Sequence, residues 1–98
     1  TDTSAVVRAR VIACRQVQLA RQGKPNARLT TPEIDQHCAP EPAARSLLEQ
    51  AMGRLNLSAR GYHRVLKVAR TLADLAGTAT IGTPHVAEAV RYRELDRS

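Results

Sequence analysis

Residues 58–77, "SARGYHRVLKVARTLADLAG", constrain the fold more than any other part of the sequence. Apolar side chains recur at spacings of three and four, which puts them on one face of an α-helix: Tyr62, Val65, Leu66, Ala69, Leu72, Ala73 and Ala76. The opposite stripe is polar: Arg60, His63, Arg64, Lys67, Arg70, Thr71 and Asp74. Ser58 is a good N-cap and Gly77 a good stop. Such a helix must bury one face, so the chain is predicted to fold as packed helices.

Two other amphipathic helices are predicted from the same periodicity. The first runs from Ala5 to about Gln22, ends at Gly23, and has one apolar face: Val6, Ala9, Ala13, Val17 and Ala20. The second follows "APEP", and its apolar positions are Ala44, Leu47, Leu48, Ala51 and Leu55. Asn56 can close this helix in the left-handed conformation.

Threonine followed by proline marks two further helix starts. Thr31 and Thr83 are predicted as N-caps, with Pro32 and Pro84 at the first helical position. The earlier start opens a short helix to about Cys38. The later one opens the last helix, whose apolar positions are Val86, Ala87, Val90 and Leu95.

The predicted fold class is therefore all-α, a small bundle of about five helices in a single domain over residues 1–98. The connection "TATIGT" can be extended but is too short for a sheet. With two Tyr and no Phe or Trp, the core must come from Leu, Val, Ile and Ala. The apolar runs are far shorter than the ~20 residues that cross a bilayer, so we expect a cytoplasmic protein without membrane contact.

The two cysteines and three histidines have no spacing typical of a metal site. We expect Cys14 and Cys38 to be reduced and largely buried, because a disulfide scaffold of this size normally holds more cysteines. No metal is expected in this domain.

The net charge of +6 is unevenly distributed. Lys and Arg outnumber Asp and Glu by six to one in residues 1–30 and by seven to four in 58–98, but fall to two against four in 31–57. Basic ends are compatible with polyphosphate or nucleic acid partners, although ordinary basic domains share this property. Lack of an aromatic stacking platform argues against single-strand binding by the domain alone.

Arg60 places a positive charge at a helix start, where a positive charge destabilises the helix. If Ser58 is the N-cap, Arg60 is the second helical residue, beside unpaired N–H groups and the positive end of the helix dipole. An exposed cation there costs about 0.3 to 1 kcal/mol. A bound anion would turn this cost into a gain, because the arginine, the backbone N–H groups and the helix dipole would all attract it. Arg60 is a candidate phosphate contact, although an arginine lying in water is the commoner case for such a pattern.

The residues also carry a family resemblance over nearly the whole chain. "SARGYHRVLKVARTLADLAG", followed by "HVAEAVRYRELDR" and preceded by "RARVIACRQVQLARQGKPNARL", resembles the C-terminal helical lid of the magnesium-chelatase-like AAA+ ATPases, in their ComM-type bacterial branch. In that family the arginine of the "SAR" element is the sensor-2 arginine, which reaches the γ-phosphate of ATP. The resemblance therefore gives Arg60 that role.

The resemblance also implies properties of a longer parent protein. It implies an ATP hydrolase whose P-loop core binds ATP with Mg²⁺ beside this lid, assembles as a homo-hexamer, and moves DNA as a branch-migration helicase in natural transformation. This sequence holds no P-loop of its own, so we expect no activity from it alone.

Two alternatives remain open: an autonomous basic helical module that binds nucleic acid directly, and the lid of a porphyrin magnesium-chelatase ATPase subunit. Arg64, Lys67 and Arg70 follow Arg60 along the polar stripe and are candidates for accessory phosphate, subunit or DNA contacts. The simpler interpretation is a solvated face, with Arg70 paired to Asp74 at i, i+4 spacing.

Overall fold

A computed structural model of the protein describes residues 4–97, with side chains through residue 94. The five α-helices of that range are α1 (Ser4–Gln22), α2 (Thr31–His37), α3 (Pro42–Leu55), α4 (Ala59–Ala76) and α5 (Thr83–Arg97), with a 3₁₀ helix at Asn26–Arg28. These residues form no strand, and the loops carry one isolated parallel bridge, Pro40 to Ile81. The predicted all-α class is confirmed.

Helix α4 lies at the centre of the bundle. It packs against α1, α2, the 3₁₀ helix and α5, and α5 packs in turn against α3. Apart from Cys38 the core is built from Leu, Val, Ile and Ala, as predicted: Leu29, Ile34, Cys38, Ala44, Leu48, Ala51, Val65, Leu66, Ala69, Ala73, Ile81, Val86, Ala89 and Val90. In α5 the predicted Ala87 is exposed, and Leu95 lies outside the residues whose side chains are described.

The predicted helix ends are confirmed by left-handed backbone conformations. Asn56 has φ 54°, and Gly23 and Gly77 have φ 77° and 76°. The N–H of Gly77 bonds back into α4, so the helix stops where glycine relieves the steric cost of positive φ. At the other end of α4 the Ser58 hydroxyl accepts a bond from the Gly61 N–H at 3.1 Å.

The start of α2 lies one residue earlier than predicted. Thr31 is the first helical residue, and Thr30 caps the helix. The reason is Glu33, whose carboxylate accepts bonds from the Thr30 N–H at 2.9 Å and the Thr30 hydroxyl at 3.0 Å. The bond from the Thr30 backbone and the one from Lys24 lower the pKa of Glu33 to about 2. The capping box therefore decides the position of the helix start.

Helix α5 also starts one residue earlier than predicted. Thr83 is its first residue, and the carbonyl of Gly82 accepts the first helical bond, from the Val86 N–H at 3.2 Å. The Nδ1 atom of His85 accepts a bond from the Gly82 N–H at 2.9 Å. His85 therefore accepts a bond from the backbone N–H of the residue before α5, as Glu33 does from Thr30 before α2.

Helix α1 packs differently from the prediction. All five residues of its predicted inner face are exposed, and its buried residues are Cys14 and Gln18. Polar bonds decide which side faces inward: the side-chain Oε1 of Gln18 accepts the Asn26 N–H at 3.0 Å, and Arg21 pairs with Asp74 of α4 at 2.8 Å. Apolar periodicity alone could not locate these bonds.

Both cysteines are free and buried, as predicted. Burial raises the pKa of the Cys38 thiol to about 11. Within residues 4–97, no helix is long and apolar enough to cross a membrane. Among the side chains that the structure describes, no three His, Cys, Asp or Glu residues lie close enough together to hold a metal ion.

Candidate functional site

Three of the four cationic residues singled out from the sequence line one cleft. Arg60, Arg64 and Lys67 lie along the first half of α4, at spacings of four and three, and border a space of about 530 Å³. The other wall comes from the start of α2 and the residues before it: Leu29, Thr31 and Ile34. The cleft therefore has apolar groups on one side and three positive charges on the other.

Arg60 lies at the helix start, where the sequence places it. It is exposed, and it follows the cap residue Ser58 by two positions. The first turn of α4 contains no acidic side chain that would neutralise it. The backbone N–H groups of this turn point toward the same end of the helix. An anion in the cleft would meet the guanidinium and the positive end of the α4 dipole together.

His63 adds a polar contact that the sequence did not reveal. Its Nδ1 lies 2.8 Å from the Ala59 carbonyl oxygen, and its Nε2 lies 3.2 Å from Oδ1 of Asp35 on α2. Both partners are oxygen atoms, so these contacts link the His63 ring of α4 to α2. The contact also brings the Asp35 carboxylate of α2 next to the α4 wall of the cleft. Twenty-eight residues separate the two in sequence, and no local pattern connects them.

Arg70 does not join the cleft. It is only 3% exposed, and Asp74 only 7%. The Arg70 guanidinium donates to the carbonyls of Ala79 at 3.1 Å and Thr78 at 3.2 Å, and lies 3.2 Å from Asp74. The predicted i, i+4 pair is confirmed, but the predicted solvated face is wrong for this half of α4. Its polar side chains are covered by the end of α1 and the loop after Gly77.

Asp74 is the centre of a buried polar network that holds three elements together. Arg21 of α1 donates to both Asp74 oxygens, at 2.8 and 3.2 Å, and Asn26 of the 3₁₀ helix donates at 3.1 Å. Burial alone would raise the pKa of Asp74, but the bonds from Arg21 and Asn26 and the charge of Arg70 outweigh it and lower that pKa. These contacts assign Arg70 and Asp74 to the framework of the domain.

The fold and the cleft define a small helical domain with a basic helix start, and its sequence contains no P-loop motif. The chain belongs to the family described as "Magnesium chelatase, subunit ChlI C-terminal", whose model matches residues 1–93.

Three curated relatives show the same relationship. The chain is 47% identical over 96 residues to "Competence protein ComM" of Haemophilus influenzae and 46% identical over 96 residues to the uncharacterized protein YifB of Escherichia coli, with 98% of this chain covered in each case. It is 36% identical over 98 residues to an uncharacterized protein of Mycobacterium tuberculosis, with 95% covered. In all three, the chain spans 19% of the relative's length.

Proposed function

We propose that this domain is the lid of a magnesium-chelatase-like AAA+ ATPase and that Arg60 contacts the γ-phosphate of bound ATP. One observation carries the proposal: Arg60, Arg64 and Lys67 border a single cleft at the start of α4. Family membership supports the lid itself. The arrangement of charges supports a polyphosphate as the ligand, because several cations and a helix dipole act on the same anion.

The lid would act by positioning rather than by forming covalent bonds. Closing the lid over the nucleotide would exclude water and bring the Arg60 guanidinium toward the transferring phosphoryl group. There its positive charge would stabilise the negative charge that develops in the transition state. Arg64 and Lys67, one and two turns further along α4, would contact phosphate oxygens nearer the nucleoside. Mg²⁺ and the attacking water would be held by the P-loop core, as in P-loop ATPases generally.

For the parent protein we propose an ATP-driven DNA motor that assembles as a homo-hexamer in the cytoplasm. The family resemblance supports the motor, and the similarity to a protein named "Competence protein ComM" supports a role as a branch-migration helicase in natural transformation. Within this proposal, loss of the γ-phosphate releases Arg60, and the lid rotates as a rigid body relative to the core.

The test is steady-state ATP hydrolysis by the full-length parent carrying Arg60→Ala, measured together with its nucleotide affinity and oligomeric state. We expect turnover to fall tenfold or more, which corresponds to about 1.4 kcal/mol of barrier. Arg64→Ala and Lys67→Ala should weaken nucleotide binding more than they slow turnover, because their contacts would be present before as well as during the reaction.

Arg45→Ala is the matched control, since Arg45 is an exposed arginine on α3 that does not line the cleft. It should leave turnover unchanged. Wild-type turnover in Arg60→Ala, with assembly and nucleotide affinity preserved, would refute the sensor role and leave Arg60 as a solvated surface residue.

A further inference from the structure

The ring of His63 has a fixed orientation although it lies on the polar face of α4. Its Nδ1 lies 2.8 Å from the Ala59 carbonyl oxygen, and its Nε2 lies 3.2 Å from Oδ1 of Asp35. The ring also packs edge-on against the Tyr62 ring, with centroids 5.5 Å apart and planes at 87°. These contacts leave the His63 side chain 20% exposed. His63 therefore belongs to the framework around the cleft.

The contact between His63 and Asp35 joins the two walls of the cleft. His63 lines the α4 wall together with Arg60, and Asp35 lies on α2 directly after Ile34 of the opposite wall. Among the residues whose side chains the structure describes, this contact is the one hydrogen bond between α2 and α4. A change at either residue would therefore remove the polar link across the cleft.

Helix α2 is too short to fix its own orientation. It has seven residues, and an isolated helix of two turns is unstable in water. Its start is held by the ion pair between Lys24 and Glu33, and Ile34, which is 3% exposed, holds it on the core. Apolar burial has no preferred direction, whereas a hydrogen bond does. The bond to His63 therefore fixes how α2 is rotated about Ile34, and with it the wall opposite Arg60.

We propose that His63 and Asp35 are a positioning pair, whose contact keeps the α2 wall at the distance from Arg60 that fits a polyphosphate. This inference rests on the proposed function, because it concerns the same cleft. Neither residue touches the reacting atoms in this proposal. A misplacement of about 1 Å at an active site can lower the rate about 100-fold, so one bond between two helices is enough to matter.

Charge alone predicts the opposite effect for Asp35. A carboxylate beside a cleft lined by cations repels phosphate, so its removal would tighten ATP binding. The Asp35 side chain is 65% exposed, however, and solvent and salt screen an exposed charge strongly. We therefore expect the loss of the contact to outweigh the loss of the charge. The sign of the change in ATP affinity separates the two roles.

Steady-state ATP hydrolysis by the full-length parent tests the pair, together with calorimetric binding of the non-hydrolysable analogue AMP-PNP. Asp35→Ala and His63→Ala should each raise KM and the analogue's Kd about five- to tenfold. They should change kcat less than about twofold, because the wall acts on bound ATP before as well as during the reaction. The double variant should match the single ones, since either substitution removes the same contact.

Conservative variants should restore the fit. Asp35→Asn keeps an acceptor oxygen and His63→Gln keeps an N–H donor, so both should hold KM within about twofold of wild type. If the alanine variants fail to fold, Asp35→Asn still decides, because a purely electrostatic role predicts tighter binding from it. Glu94→Ala is the matched control: it removes an exposed contact between α5 and α3, to Arg54 at 3.0 Å, away from the cleft. It should leave KM unchanged.

Tighter or unchanged binding in Asp35→Ala, or alanine effects that add in the double variant, would overturn the inference. Unchanged KM in the pair variants together with a tenfold effect of Arg60→Ala would overturn it alone and leave the proposed lid function standing. Raised KM in the pair variants with wild-type turnover in Arg60→Ala would refute the sensor role and support the positioning pair.

Discussion

At the scale of single residues, Asp74 contributes most to the polar framework. Its carboxylate is 1% exposed and accepts charge-assisted bonds from Arg21, while the equally buried Arg70 lies 3.2 Å away. Removing one partner of a buried ion pair leaves the other desolvated and uncompensated, which usually costs more than the pair contributes. The network therefore makes the domain sensitive to Asp74 in a way that no exposed ion pair would.

We predict that Asp74→Asn lowers the free energy of unfolding by about 3 kcal/mol or more at pH 7. The folded-state pKa of Asp74 is lowered, so its contribution is fully present above the unfolded pKa of about 3.9 and is lost as pH falls through the folded pKa. The difference between wild type and variant should therefore shrink as pH falls from about 4 toward 2. Urea unfolding at several pH values measures both quantities.

Glu94→Gln is the control for Asp74→Asn. It breaks an ion pair with Arg54 at 3.0 Å whose side chains are 42% and 65% exposed, so we expect a loss under about 1 kcal/mol. Equal losses for the two variants, or a loss at Asp74 that does not change with pH, would contradict the account of a buried network.

The positions of side chains could be predicted from the sequence where local helix chemistry determines them. They could not be predicted where the burial of polar groups determines them. Arg60 could be identified as unusual because helix-start electrostatics is a local property. The positions of Arg64 and Lys67 beside it followed from helical spacing alone. Arg70 has the same spacing and the same charge, yet it is buried, because the loop after Gly77 presents carbonyl oxygens to it. No rule of periodicity contains that information.

At the scale of helices, α3 is locally weakened by a glycine, Gly53, in its interior. Gly53 lies three residues before the left-handed Asn56, within regular helix. A Cβ added there would meet no atom within 4 Å. Glycine therefore adds flexibility to α3 without serving packing or a turn.

We predict that Gly53→Ala stabilises the domain by up to about 1 kcal/mol, because alanine has the higher helix propensity and restricts the unfolded chain. Thermal unfolding should show this as a rise of about 4–8 °C per kcal/mol. Gly77→Ala is the matched control: its Cβ would also meet open space, but φ is +76°, so the same substitution should destabilise. A loss of stability in Gly53→Ala would contradict the prediction.

The helices themselves could be predicted because capping residues and apolar spacing are encoded locally. Which face of each helix packs against the bundle was harder to predict from the sequence. Helix α1 has apolar residues on both sides, so its periodicity could not say which side faces the bundle, and hydrogen bonds to Asn26 and Asp74 made that choice. The same bonds explain why the stripe chosen from the sequence is the exposed one.

At the scale of the whole molecule, the exposed positive charge is smaller than the sequence suggested. Arg70 is buried, and the Arg21 side chain is 23% exposed and paired with Asp74. The cations left around the cleft are few, and a cleft suits a compact polyphosphate better than an extended duplex. This favours the lid over an autonomous nucleic-acid module.

We predict that the 98-residue chain binds a labelled duplex only weakly, with Kd in the non-specific range of about 10⁻⁴ to 10⁻⁶ M or weaker at physiological salt and no sequence preference. Fluorescence anisotropy across a salt series measures this. Affinity tighter than micromolar with a steep log–log salt slope would instead support the autonomous module, and charge reversal at Arg64 would then show whether the cleft is the contact.

The length of α4 determines how far its far end moves when the helix tilts at the cleft. Its 18 residues form a rod of roughly 27 Å, at 1.5 Å per residue, with Arg60 at one end and the Arg70 and Asp74 network at the other. Because that network holds α1 against α4 about 21 Å from Arg60, a tilt of α4 by about 10° at the cleft would move the network by roughly 4 Å. Helix α4 would therefore transmit a small movement at the cleft to α1 as a larger one, in the manner of a rigid lever.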